Sequence, residues 1–191
     1  MDVCAAPGGK SLMIAALNKV NSLCLNDVSR HRIKRIQENI QRSGISPSAI
    51  LQSDGEKLPF DKHYFDTVFI DAPCSSTGTI QKNPDIKWSA SEETLLKHLE
   101  LQRQLLDEGG RILKPGGTLI YSTCSLEKEE NQNQIETFLA RHTGFFLKKR
   151  PSDSACFEVD DWTNADPSFF QLLTGSKWGG FFGAAMSYDS A

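Results

Sequence analysis

Cross-links, metals and membranes find little support in this 191-residue chain. Its five cysteines, Cys4, Cys24, Cys74, Cys124 and Cys156, are odd in number and contain no C-x-x-C pair. That argues against a disulfide framework and against structural zinc. The four histidines, His31, His63, His98 and His142, are scattered, so no metal site is expected. No apolar run approaches twenty residues and the first residues do not read as a secretory leader. Membrane spanning and secretion are therefore not expected, and a reducing, cytoplasmic setting suits the free thiols. The formal net charge is only −3, without a basic block. Bulk charge thus does not mark a nucleic-acid binder, and any such role rests on local lysines or on a segment outside this chain. Repeats and low-complexity tracts are absent as well. With 39% hydrophobic and 24% charged residues, the chain is sized for one domain with a real core, expected as a monomer.

What is present is an alternation of apolar strands and amphipathic helices. Phe65-Asp66-Thr67-Val68-Phe69-Ile70 is mostly β-branched or aromatic, as a central parallel strand requires. It runs into Asp71-Ala72-Pro73-Cys74-Ser75-Ser76-Thr77-Gly78, where Pro73 stops the ladder, so Asp71 and Cys74 are expected on a turn outside the strand's carboxyl end. Ligands bind at that rim in open α/β sheets. A second strand, Gly117-Thr118-Leu119-Ile120-Tyr121, leads into Ser122-Thr123-Cys124-Ser125, which sends another thiol to the same edge.

At the start of the chain, Met1-Asp2-Val3-Cys4 reads as the tail of a strand, and Ala5-Ala6-Pro7-Gly8-Gly9 as a turn without bulky side chains. Lys10 then opens a helix on which Met13, Ala16, Leu17 and Val20 share one face. Small residues before a helix N-terminus let an anionic or polar ligand approach free N–H groups. Residues 22–26 read as strand two with Asp27 at its end, eighteen residues after Gly9. In dinucleotide-type folds an acid near that spacing accepts hydrogen bonds from ribose hydroxyls. Ser29 caps a helix to about Arg42 with Ile33, Ile36 and Ile40 inward, Gly44 ends it, and residues 49–52 form strand three before Asp54.

Further on, Asn83-Pro84-Asp85-Ile86-Lys87-Trp88 is an ordered loop with two open readings. Either Trp88 packs inside as a clamp, or the loop forms a pocket wall offering Lys82 and Lys87 to a polyanion. Ser91 caps a long helix with Leu95, Leu96, Leu99, Leu105 and Leu106, and Lys114-Pro115-Gly116-Gly117 turns into strand five. Glu127-Lys128-Glu129-Glu130-Asn131 starts a helix with an acid-rich first turn, as its dipole favours, burying Ile135, Phe138 and Leu139. Residues 144–147 read as a strand, 150–177 as a long connection, and 179–186 as a closing strand. The sum is a three-layer, Rossmann-like α/β fold with a mostly parallel sheet.

Gly9-Lys10-Ser11 after a strand also resembles the phosphate-binding loop of nucleotide hydrolases. That pattern needs glycine where Cys4 stands, includes Pro7 without an N–H, and leaves Asp27, Cys74 and Cys124 unused. Three linked motifs fit better. Residues 2–10, 71–78 and 122–125, in this order and spacing, resemble the RNA (cytosine-5) methyltransferases of the Sun/Nop2 family, and residues 83–88 resemble its bacterial 16S ribosomal RNA branch of the RsmB type. The resemblance covers about residues 1–146 and returns at Gly180-Phe181-Phe182.

The resemblance implies an S-adenosylmethionine-dependent methyltransferase fold and a ribosomal RNA substrate. The cofactor is expected at Cys4, Ala5, Ala6, Pro7, Gly8, Gly9 and Lys10, with Asp27 on its ribose, Asp54 near the adenine, and Arg32 and Asp71 completing the set. It further implies Cys124 as nucleophile, Cys74 as the thiol that helps remove the C5 proton and free the product, and Asp71 with Lys10 holding the flipped base. DNA cytosine methyltransferases use a Pro-Cys thiol placed like Cys74, which offers the reverse assignment. Ser76 stands where the family usually has glycine, and the chain begins inside the first motif. Residues 1–191 are accordingly read as a catalytic domain truncated at its N-terminus, lacking the family's upstream RNA-binding part. A non-catalytic S-adenosylmethionine-binding remnant acting in assembly is the contrasting class.

Overall fold

Asp2 is the seam of the sheet: it bridges Leu25 on one side and Phe69 on the other, both in parallel. The structure is a computed structural model describing residues 1–18, 20–149, 168–172 and 179–189. Its helices are α1 (Gly9–Leu17), α2 (Arg30–Ser43), α3 (Ile86–Ser89), α4 (Glu92–Ile112) and α5 (Gln132–Arg141), and its strands are β1 (Cys24–Asn26), β2 (Ala49–Leu51), β3 (Phe65–Asp71), β4 (Leu113–Thr123), β5 (Phe145–Leu147), β6 (Phe169–Leu172) and β7 (Phe181–Tyr188). β1 pairs β2 in parallel, and β3 pairs β4 in parallel with Asp71 opposite Ser122. β7 runs antiparallel between β4 on one edge and β5 and β6 on the other. This is a three-layer, Rossmann-like α/β fold.

The strands alternate between two cores, as the period-two geometry of a sheet dictates. Val68, Ile70, Leu119, Tyr121, Phe182, Ala184 and Met186 meet Leu105, Leu106 and Ile112 of α4 and Ile135 and Phe138 of α5. Leu25 points the other way, onto Ile36 of α2. Gly109 lets α4 lie close to the sheet, because a Cβ there would come within 2.8 Å of Ile70 Cδ1. Caps match expectation: Ser29 accepts from the Arg32 N–H, Ser91 from the Thr94 N–H, and Gly44 ends α2 at φ 69°. Among the described residues no helix is long and apolar enough to cross a membrane.

Several expectations need correction. The face of Met13, Ala16, Leu17 and Val20 looks outward, with Leu17 78% exposed, and α1 instead buries Ser11 and Leu12. The Ser11 hydroxyl donates to the buried Asp2 carboxyl, which fixes that rotation. Trp88 is 89% exposed, which excludes the packed-clamp reading. Asp71 is the last residue of β3 rather than a turn residue, and Lys114-Pro115-Gly116-Gly117 lies within β4 at an irregular register. The connection expected over 150–177 contains β6; residues 150–167 and 173–177 of it lie outside the described residues.

Candidate active site

Strand ends carry the chemistry, and side chains of the strands themselves hold those ends together. Asn26, fully buried, donates through Nδ2 to the carbonyls of Val3 and Ser53 at 3.0 Å each, and its Oδ1 accepts from Ser53 Oγ at 2.7 Å. Three successive strand tips are thereby tied, which places Asp27 and Asp54 side by side. Asp27, 2% exposed, accepts from the N–H of Ala6 at 3.3 Å and of Ser29 at 2.9 Å, and pairs with Arg32 at 3.2 Å. A cavity of about 160 Å³ opens there, lined by Val3, Cys4, Asp27, Arg32, Asp54, Pro73 and Leu105 among others. Carboxylates on one side and apolar walls on the other suit a nucleoside. Of the turn expected to bind the cofactor, Cys4 lines this cavity, whereas Ala5, Ala6, Pro7, Gly8, Gly9 and Lys10 do not; Gly8 is left-handed at φ 96° before α1. Burial pushes the Cys4 thiol well above the ordinary range.

Asp71 and Lys10 form a separate pair beyond the cavity. Lys10 Nζ donates to Asp71 Oδ1 at 2.5 Å, Ser122 Oγ donates to the same oxygen at 2.8 Å, and the ammonium stands 4.9 Å from the Phe181 ring centre. Phe181 was missed from sequence, since nothing local links it to residue 10.

The two thiols meet: Cys74 Sγ and Cys124 Sγ are 3.5 Å apart. Cys124 is pulled down to about 6, first by the hydrogen bond from Cys74 and then by Ser76, with Lys10 assisting and burial and Asp71 opposing. Cys74 is pushed up by the same hydrogen bond and by burial. Cys124 therefore ionises first, and Cys74 stays a thiol that donates to it.

A buried brace outside the expected set fixes that distance. Glu130 is fully buried and accepts from Ser75 N at 2.9 Å, Ser75 Oγ at 2.5 Å and Gln102 Nε2 at 3.1 Å, while Gln102 also donates to the Pro73 carbonyl at 2.8 Å. Asn131 accepts from Thr123 Oγ1 at 2.6 Å and donates to the Ser125 carbonyl at 3.0 Å. Neighbouring residues thus grip the two cysteine loops, one each. This corrects the reading of Glu127–Asn131 as the acid-rich first turn of a helix: a short 3₁₀ turn over Lys128–Glu130 precedes α5, and Glu130 is buried. Gly78 closes the arrangement, its N–H donating to the Cys124 carbonyl at 3.0 Å and its carbonyl accepting from Gly180 N at 2.7 Å. A Cβ on Gly78 would lie 2.7 Å from both the Cys124 and Gly180 carbonyls.

The profile of the family described as 16S rRNA methyltransferase RsmB/F matches residues 1–186. The chain is similar to ribosomal RNA small subunit methyltransferase B of Sodalis glossinidius, 41% identical over 179 residues, 91% of this chain and 41% of that one. Among solved structures it resembles PH0851, 35% identical with a TM-score of 0.87 over 97% of this chain and 41% of the other. It also resembles NSun6 from Pyrococcus horikoshii with SFG, 26% identical with a TM-score of 0.84 over 100% of this chain and 47% of the other. The chain spans about two fifths of the length of the curated relatives it matches.

Proposed function

The chain belongs to the 16S rRNA methyltransferase RsmB/F family, and from that membership we propose that residues 1–191 form a catalytic domain that methylates C5 of a cytosine in RNA, with 16S ribosomal RNA as substrate. The observation that carries this reading is the thiol pair, Cys124 and Cys74 at 3.5 Å, beside the Lys10–Asp71 pair. S-adenosylmethionine, when bound, supplies an electrophilic methyl group. The cavity at Asp27, Asp54, Arg32, Val3 and Leu105 fits its nucleoside, since it joins a buried carboxylate for ribose hydroxyls to apolar walls for a flat base. A relative solved with SFG, an analogue of that cofactor, supports the same choice.

Cytosine C5 is too electron-poor to accept a methyl group from a sulfonium unless a nucleophile first adds at C6. Cys124 is suited to that addition because it is the thiol of the pair that ionises first. Lys10 and Asp71, linked to one another, hold the base and support charge at N3. Once Cys124 is bonded to C6 it no longer holds the Cys74 proton; Cys74, 3.5 Å away, gives that proton to solvent and as a thiolate takes the C5 proton, after which the C6–sulfur bond breaks, Cys124 leaves as a thiolate and the product departs. The target must leave its stack to reach these groups. Cys74, Thr79, Asn83, Ile86 and His98 help line an adjoining cavity of about 730 Å³; Lys82, Lys87 and Trp88 are exposed beside Asn83 and Ile86 in sequence without lining it, and neither lysine forms an ion pair among the described residues. A stacking face with free cations suits the single strand flanking the target.

The test incubates Cys124→Ser and Cys74→Ser with methyl donor and target RNA and examines denaturing gels for a covalent protein–RNA band. Cys124→Ser should give neither band nor product, because a hydroxyl is far less ionised than a thiol. Cys74→Ser should accumulate the band, since attack proceeds and release stalls. A band in Cys124→Ser but not in Cys74→Ser would reverse the roles.

A further inference from the structure

Ser76 occupies a backbone position that a side chain has reason to avoid. Its φ of 59° and ψ of 21° are left-handed, and among the described residues only His63 shares a positive φ without being glycine. A Cβ crowds the neighbouring carbonyl there, glycine escapes that cost, and non-glycine residues in such positions cluster at functional sites. The hydroxyl gives Ser76 something glycine lacks. Its Oγ lies 3.3 Å from Cys124 Sγ, 4.0 Å from Cys74 Sγ and 3.4 Å from the Cys74 carbonyl. Among the described residues no other hydroxyl reaches either sulfur.

We infer that Ser76 is itself a catalytic-site residue, whose hydroxyl donates a hydrogen bond to the Cys124 thiolate and keeps that sulfur charged and fixed for attack. The inference deepens the assignment of Cys124 as nucleophile and rests on it. On ionisation the Cys124 proton passes to solvent, and the Ser76 O–H turns from the Cys74 carbonyl to the sulfur. Four groups then bear on the thiolate: Cys74, Lys10 and Ser76 favour it, and Asp71 opposes it. Cys74 can lose its proton during turnover and Lys10 is engaged by Asp71, whereas the Ser76 hydroxyl keeps its own proton at every pH of interest. It is the one donor to Cys124 that does not change with the state of the reaction.

Alkylation of Cys124 by iodoacetamide across pH, followed on its peptide by mass spectrometry, tests this in the 191-residue chain without RNA or methyl donor. Ser76→Gly and Ser76→Ala both remove the hydroxyl, and both should raise the midpoint by about one pH unit, the scale of a lost hydrogen bond to a charged group. Ser76→Gly should not lower the unfolding temperature, because glycine adopts this backbone without strain; reactivity and stability thus part company. A midpoint unchanged in both variants overturns the inference, and so does one that moves in Ser76→Ala alone, which would make the effect conformational. An ordinary thiol midpoint for Cys124 in the unsubstituted chain would instead remove the support for Cys124 as nucleophile. The two failures are therefore distinguishable.

Discussion

Glu130→Ala should cost this chain about 2–4 kcal/mol and disable the thiol pair while sparing the cofactor cavity. The carboxylate is fully buried and receives three donors, two from Ser75 and one from Gln102. Two of them have somewhere else to go: Ser75 Oγ already lies 3.0 Å from Ser125 Oγ, and Gln102 Nε2 keeps the Pro73 carbonyl at 2.8 Å. The Ser75 N–H does not, and an orphaned buried donor costs about 1–3 kcal/mol. Loss of the side chain's packing adds about 1–2 kcal/mol, partly offset because a buried carboxylate no longer has to be desolvated. Cys74 adjoins Ser75, so a shift of the loop on the order of 1 Å should slow adduct formation roughly a hundredfold, as misplaced reacting groups do. Asp27 and Asp54 sit on other elements, so donor affinity should hold. Urea unfolding, covalent-adduct kinetics and titration calorimetry read the three quantities. Destabilisation below about 1 kcal/mol with unimpaired adduct formation would refute the brace, since an unsatisfied N–H there could not be so cheap.

Two further outcomes follow from the same geometry. Asp27→Ala should weaken S-adenosylmethionine binding by roughly 1–3 kcal/mol in calorimetry, the cost of a lost buried acceptor, and unchanged affinity would remove Asp27 from the cofactor site. Burial raises the Asp2 carboxyl from 3.8 to about 7 against the help of Ser11. The folded state therefore holds a proton the unfolded chain has lost, so the stabilisation is complete below about pH 4 and disappears as pH rises through 7, on the order of 4 kcal/mol in all. Asp2→Asn should flatten urea-measured stability between pH 4 and 7, and an unaltered slope would show that Asp2 is not the titrating group.

Much of the plan could be read from residues because it depends on local pattern. The apolar run 65–70, the capping serines Ser29 and Ser91 and the left-handed Gly44 each announce an element without reference to the rest. The convergence of Cys74 and Cys124 was likewise foreseeable, since parallel neighbours β3 and β4 end at one rim. What escaped depends on partners distant in the chain. The outward turn of Met13 and Leu17 is set by Ser11 meeting Asp2, and the burial of Glu130 by Ser75 and Gln102. An acidic run before a helix looks the same in sequence whether water or a serine faces it. Strand order was similarly hidden, because no local signal tells β7 to enter antiparallel between β4 and β5.

The Gly78 contact ties assembly of the site to the order in which the chain is made. Residues 78, 124 and 180 meet backbone to backbone, and β7, the last strand described, lies inside the sheet rather than at its edge. Closing such long loops is entropically slow, and a chain emerging from its N-terminus can pair β3 with β4 well before residue 180 is available. Until β7 docks, the Cys74 loop keeps the Glu130 brace and the Gly78 bond to the Cys124 carbonyl but lacks the Gly180 N–H that caps the Gly78 carbonyl. The last strand described thus adds its bond to the rim that carries the two thiols at the same step in which it enters the sheet.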